Sequence, residues 1–137
     1  MKNKTVFISG SRSLKHLDDN VINRLENIIN KKLSVIVGDC YGADLLIQHY
    51  FHGKGYRDVT VYYAGKIRNN YGNFPTVKVS DSNIYAMKDS DMTEKCDFGF
   101  VIYDGDSPGS TANIKRLREM KKPFIVYDFI NEIFTEN

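Results

Sequence analysis

The sequence predicts an α/β protein built on an open parallel sheet of about five strands with helices on both faces. Two observations carry that expectation. Short apolar runs of strand length alternate with longer stretches whose apolar residues recur at helical spacing, as in a parallel sheet with crossover helices. Three of the apolar runs also end on glycine-bearing polar turns, which such a sheet brings together at its carboxyl edge. The 137 residues, 42% of them hydrophobic, suit one compact domain over 1–137 with a conventional core.

The first run, Val6, Phe7 and Ile8, reads as a strand buried on both faces. Val21, Ile22, Leu25, Ile28 and Ile29 then lie on one stripe of a helix, with Asp18 and Asp19 at its N-terminus. The unit repeats in "LSVIVG" (Leu33 to Gly38) and a helix carrying Ala43, Leu46, Ile47 and Tyr50, which Gly53 and Gly55 end. "VTVYY" (Val59 to Tyr63) is β-branched and aromatic and predicts a third strand.

From Ala64 to Ser82 the chain turns polar, with Asn69-Asn70, Gly72 and Pro75, and is read as a long loop, of a length that tends to be functional or partly structured. A helix is expected around Asn83 to Lys95, then a fourth strand, "FGFVIY" (Phe98 to Tyr103). Gly109 to Met120 reads as a helix with Ile114, Leu117 and Met120 inward, and Pro123 introduces a fifth strand, Phe124 to Tyr127. Phe129, Ile130, Ile133 and Phe134 suggest a C-terminal helical turn packed on the body. The whole is a Rossmann-like arrangement.

Composition narrows the function. Nineteen basic and 17 acidic residues leave a net charge of +2, too little to announce nucleic acid or an anionic membrane. Cys40 and Cys96 lack CxxC spacing or a neighbouring histidine run, so neither a disulfide framework nor a metal site is expected. The run opened by Met1-Lys2-Asn3-Lys4 is too short for a secretory leader or a membrane span, and a cytoplasmic protein is expected. With no GxGxxG and no GxxxxGK[ST], a dehydrogenase or a P-loop NTPase is disfavoured, and no resident cofactor is expected.

The chemistry concentrates at three strand ends: Gly10-Ser11-Arg12, Gly38-Asp39-Cys40-Tyr41-Gly42-Ala43-Asp44, and Asp104-Gly105-Asp106-Ser107-Pro108-Gly109-Ser110-Thr111. Glycine lets backbone approach a ligand closely, and free N–H groups at a helix start favour an anion. Arg12 adds a permanently charged fork matched to phosphate oxygens. Each stretch also has a plain reading: a turn with a solvated arginine, a strand-to-helix turn with an aspartate serving the first helical turn, and an N-cap followed by proline. Asp44 suits a ribose hydroxyl, and Ser107 to Thr111 suits a phosphate. Cap and cradle use the same geometry, so these readings are compatible.

With these loops in place the chain resembles the SLOG superfamily, the Rossmann-like group that includes YspA-like proteins, LOG phosphoribohydrolases and DprA, and it looks closest to the YspA-like branch. The resemblance runs from Val6 to Tyr127 on "GSR", "GDCYGAD", "KDSDM" with Cys96-Asp97, and "DGDSPGST". It implies that Gly10, Ser11 and Arg12 hold a phosphate or sugar, that Gly42 and Asp44 face the ribose, and that Gly109, Ser110 and Thr111 cradle the phosphate. Gly38, Asp39, Lys88, Asp104, Gly105 and Ser107 complete the expected ligand shell. The implied partner is a phosphorylated, nucleotide-derived small molecule, bound by a sensor or cleaved at its N-glycosidic bond by an enzyme. Relatives often self-associate, so a homo-oligomer is expected.

Two positions depart from the family pattern. LOG-type enzymes carry a glutamate just after their glycine-threonine pair, where this chain has Ala112, Asn113 and Ile114, and an asparagine cannot take a proton. Lys88 stands where an arginine is expected, keeping charge but losing the bidentate fork. Asp39, Asp104 and Asp106 remain candidate catalytic carboxylates, although aspartate in a glycine-rich turn often serves only as a structural acceptor. Cys40 is a weaker nucleophile candidate, with no base beside it in sequence. The DprA branch binds single-stranded DNA, which the near-neutral charge argues against. In the 64–82 segment, Lys66, Arg68, Tyr71 and Phe74 suit either a specificity loop or a surface loop that packs Phe74 inward.

Overall fold

The computed structural model describes residues 3–136; Met1 and Lys2, which open the run weighed above as a leader, lie outside them. In chain order the elements are β1 (Thr5–Gly10), α1 (Asp19–Asn30), β2 (Ser34–Val37), α2 (Ala43–Gly53), β3 (Val59–Ala64), β4 (Thr76–Ser80), α3 (Tyr85–Lys95), β5 (Phe98–Tyr103), α4 (Pro108–Glu119), β6 (Phe124–Asp128) and β7 (Ile133–Glu136). The strands form one sheet in the order β4-β3-β2-β1-β5-β6-β7. Neighbours run parallel, with Val6 opposite Val35 and Phe98, and only β6 and β7 are antiparallel. This is a Rossmann-like α/β fold, and its chain reverses direction across the sheet between β1 and β5.

Alternation along the strands builds two apolar layers. Val6 and Ile8 of β1 join the layer formed with Val21, Leu25 and Ile28 of α1 and Ile47 and Phe51 of α2. Phe7 points the other way, into the layer that holds Met92 of α3 and Leu117 of α4. The helices bury residues three or four apart because that spacing returns to one face. Asp18 starts α1 as its cap, one carboxylate oxygen accepting the Val21 N–H at 2.9 Å.

The sheet is wider than the expected five strands, by one at each edge. The stretch 64–82 contains β4, in which Val77 and Val79 pack on the core while Thr76 and Lys78 are exposed. At the other edge the expected helical turn is a hairpin. Asp128 accepts the N–H groups of Ile130 (2.9 Å) and Asn131 (3.0 Å), Glu132 adopts φ 55°, and β7 returns along β6. Phe129 and Phe134 pack on the core, but Ile130 and Ile133 face solvent, and Met120, expected inward, is exposed after the last turn of α4. No helix among the described residues is long and apolar enough to cross a membrane.

Candidate functional site

The loops after β1, β2 and β5 meet at the carboxyl edge, at the reversal point where open α/β sheets bind ligands. Ser11 ties them together. Its N–H donates to the Ile102 carbonyl (2.9 Å), its carbonyl accepts from Ala43 (3.2 Å), and its hydroxyl pairs with that of Ser107 (2.7 Å) and accepts the Asp104 N–H (3.1 Å). Gly42 makes this approach possible. It holds φ 75°, and a Cβ there would lie 2.5 Å from the Arg12 backbone. A further bridge crosses the reversal point from the Ser13 hydroxyl to Asp104 Oδ2, at 2.8 Å.

The joined loops border a cleft of about 530 Å³. Of the expected ligand shell it is lined by Gly10, Ser11, Arg12, Gly38, Asp44, Lys88, Asp104, Ser107, Gly109 and Ser110. One end is the start of α4. Ser107 makes no side-chain cap, Pro108 occupies the first turn, and the first N–H groups of a helix have no partner within it. The Ser110 hydroxyl, on a residue only 3% exposed, has no hydrogen-bond partner either. Arg12 is exposed on the rim and makes no ion pair among the described residues; its nearest polar contact is Cys40 Sγ at 3.8 Å. These free donors suit an anion.

The opposite end is a buried charge cluster. Lys88 is 2% exposed, with Nζ 3.4 Å from Asp39 Oδ1 and 3.8 Å from Asp89 Oδ1. A Cβ on Gly38 would meet Asp44 Oδ2 at 2.5 Å and Lys88 Nζ at 2.8 Å, so the Asp44 carboxyl and the ammonium share the space over Gly38. Burial pushes the Asp44 carboxyl up to about 6 despite Lys88 and the Cys40 N–H that it accepts. Burial likewise raises Asp89, against the pull of Lys88 and Arg116. Burial acts against the Lys88 ammonium, but Asp44, Asp89 and Asp39 outweigh it and hold the proton more firmly than usual. Asp104 goes the other way: burial opposes its charge, yet the N–H groups of Ser107 and Asp106 and the Ser13 hydroxyl bring it to about 2.

Asp39, Gly42, Gly105 and Thr111, also expected in the ligand shell, do not line the cleft, and neither does Asp106. Asp39 is fully buried with its carboxylate turned to the 64–75 segment, where the Arg68 N–H and guanidinium both donate to it at 2.8 Å. It anchors that segment. Gly105 shapes the turn in which Asp104 Oδ1 accepts from Asp106 (2.9 Å) and Ser107 (2.8 Å), and Thr111 turns back to the Ser107 carbonyl at 2.9 Å. Asn113 is a buried bridge, donating to the Ser9 hydroxyl at 2.8 Å and accepting from Arg116 at 2.9 Å.

Sequence reasoning missed Asp89 and Tyr85 as cleft residues. Both lie on α3, and a one-turn spacing from Tyr85 to Lys88 and Asp89 was the available signal. The Arg68 guanidinium stacks 4.0 Å from the Tyr85 ring centre, so the 64–75 segment supports the cleft wall. Phe74 is packed into the core, as its surface-loop reading expected, and Tyr71 is half-exposed and stacked on His49 at 3.6 Å. Among the described residues no group of three or more His, Cys, Asp and Glu side chains is placed to hold a metal ion. No protein-family model, curated protein or solved structure matches the chain.

Proposed function

We propose that the cleft binds a phosphorylated, nucleotide-derived small molecule, as a sensor or carrier of the SLOG type. The observation that carries this reading is the start of α4, where uncapped N–H groups and the partnerless Ser110 hydroxyl border the same cleft as the unpaired Arg12. A phosphate there would offer acceptor oxygens to all of these groups. The ribose would lie toward Asp44, and Tyr85 offers an aromatic face for a base.

A second reading, hydrolysis of an N-glycosidic bond, draws on the carboxyls of Asp44 and Asp104, which one cleft holds at about 6 and about 2. Against it stands Asn113, whose amide cannot serve as a general acid, a general base or a carboxylate nucleophile and which is fixed between Ser9 and Arg116.

Calorimetry with nucleoside monophosphates, ADP-ribose and NAD tests the first reading. At least one should bind, and Arg12→Ala should weaken that binding by about 10- to 100-fold, the worth of a charge-assisted hydrogen bond. No heat from any member, or an Arg12→Ala variant that binds as the parent does, removes it. Chromatography of the same mixtures for free base and sugar phosphate decides the second reading.

A further inference from the structure

We infer that the cleft takes up its anion together with a proton, held on the Asp44 carboxyl beside Lys88. This rests on the anion-binding reading and adds how binding responds to pH.

Lys88 faces three carboxyls: Asp39, Asp89 and, over Gly38, Asp44. Arg68 already neutralises Asp39 at 2.8 Å, so one ammonium serves the other two. Of the remaining charged and titratable groups around the cleft, Arg12 lies on the rim beside the Cys40 thiol, Arg116 of α4 acts on Asp89, Asp104 is engaged by Ser13 and two N–H groups, and Tyr85 faces in from α3. None of these gives Asp44 a second cation. Asp44 is 8% exposed, so water does little to stabilise its charge.

An anion at the start of α4 adds negative charge to the cleft that Asp44 also lines. A negative charge added there favours the neutral form of the weaker acid. Lys88 cannot supply the change, because its carboxylate neighbours already hold its proton firmly. Asp44 can, since burial, joined by the charges of Asp89 and Asp39 and only partly offset by Lys88 and the Cys40 N–H, already brings its carboxyl up to about 6 in the free protein. The linkage has a definite sign. Binding raises the proton affinity of Asp44, so affinity is level below about pH 6 and falls by up to tenfold per pH unit above it, until the carboxyl of the complex also ionises.

Fixed-charge probes make the proton count clean, because the probe itself does not titrate. ADP-ribose, NAD and inorganic sulfate would be titrated into the protein near pH 7 in two buffers of different ionisation enthalpy. Uptake of between about half and one proton per bound probe is expected. Asp44→Asn, checked for its fold by circular dichroism, should abolish the uptake and flatten the pH dependence. Binding of a probe by the parent protein without proton uptake overturns the inference and leaves the anion-binding reading standing. Undiminished uptake in a folded Asp44→Asn variant overturns the assignment to Asp44. Should that variant not fold, the parent's proton count and a carbon-13 titration of its carboxyls, with and without probe, decide the matter. No binding of any probe at any pH removes the reading on which the inference rests.

Discussion

Two cavities of almost equal volume lie at opposite edges of the sheet, about 520 Å³ at the amino ends of the strands and about 530 Å³ at the carboxyl ends. Their walls differ in kind. The amino-end cavity is bounded mainly by apolar side chains, among them Val6, Ile28, Leu33, Phe98 and Ile125, with Arg24, Lys31 and Glu136 at its border, and by the last turn of α1. Helices end at that edge with their carbonyls, the negative end of the dipole, so an anion there would meet the side chains of Arg24 and Lys31 but no helix start. The carboxyl-end cleft meets a helix start, a free arginine and a partnerless hydroxyl. Volume therefore does not choose between the two cavities. The partnerless Ser110 hydroxyl and the uncapped helix start set the carboxyl edge apart, because burying such groups without a partner costs free energy that a ligand would recover.

The sharpest way to break this contrast is to damage the amino-end cavity alone. Ile28 is 6% exposed and lines it. Ile28→Ala removes packed methylenes and enlarges the space, and should cost about 2–4 kcal/mol of unfolding free energy in chemical denaturation. Anion affinity at the other edge should stay within about twofold. An affinity loss as large as that expected for Arg12→Ala would show the two cavities to be coupled and undo the contrast.

A somewhat smaller effect sharpens it from the polar side. The Asp44 carboxyl stands at about 6 in the folded protein, above its ordinary value of 3.8, so the native state binds its proton more tightly than the unfolded chain does. Stability from this group rises as pH falls through about 6 and levels off near the ordinary value. Asp104, brought down to about 2, has the opposite sign: its contribution is present above the ordinary value and is lost as pH falls toward 2. Asp44→Asn should accordingly stabilise the protein by on the order of 2 kcal/mol near pH 8 and by little near pH 4. Urea denaturation across that range checks it. A variant that is less stable at pH 8 would mean that Asp44 pairs with Lys88 strongly enough to favour its charge.

The contrast between the edges was partly legible in the sequence. The central strands and all four helices follow from apolar runs and helical spacing, because those elements are buried and burial writes itself into composition. The edge strands follow less readily. Thr76-Val77-Lys78-Val79-Ser80 alternates as a half-exposed strand should, but it sits inside a polar stretch that hides it. Phe129, Ile130, Ile133 and Phe134 have a spacing shared by a helical turn and a hairpin, and only the Asp128 side chain decides between them. At the site, the glycine-bearing loops were readable because strand ends meet there. Whether an aspartate faces a ligand was not. Asp39 and Asp44 stand five residues apart on one connection, yet the first is claimed by Arg68, a residue 29 positions on, and the second lines the cleft.

The smallest expected change in stability separates a serine that builds the cleft from one that waits for a ligand. Ser11 and Ser110 are both buried and both line it. The Ser11 hydroxyl contacts Ser107 and Asp104, so Ser11→Ala should cost about 1–2 kcal/mol of stability as two loops lose their tie. The Ser110 hydroxyl has no hydrogen-bond partner, so Ser110→Ala removes an unsatisfied polar group and should leave stability unchanged or raise it by up to about 1 kcal/mol. Its effect should appear instead in binding, as about a tenfold loss for whichever anion the parent takes. Paired denaturation and calorimetry on the two variants read both quantities. If Ser110→Ala destabilised the free protein and left affinity untouched, the hydroxyl would belong to the fold, and the start of α4 would lose its strongest claim to an anion.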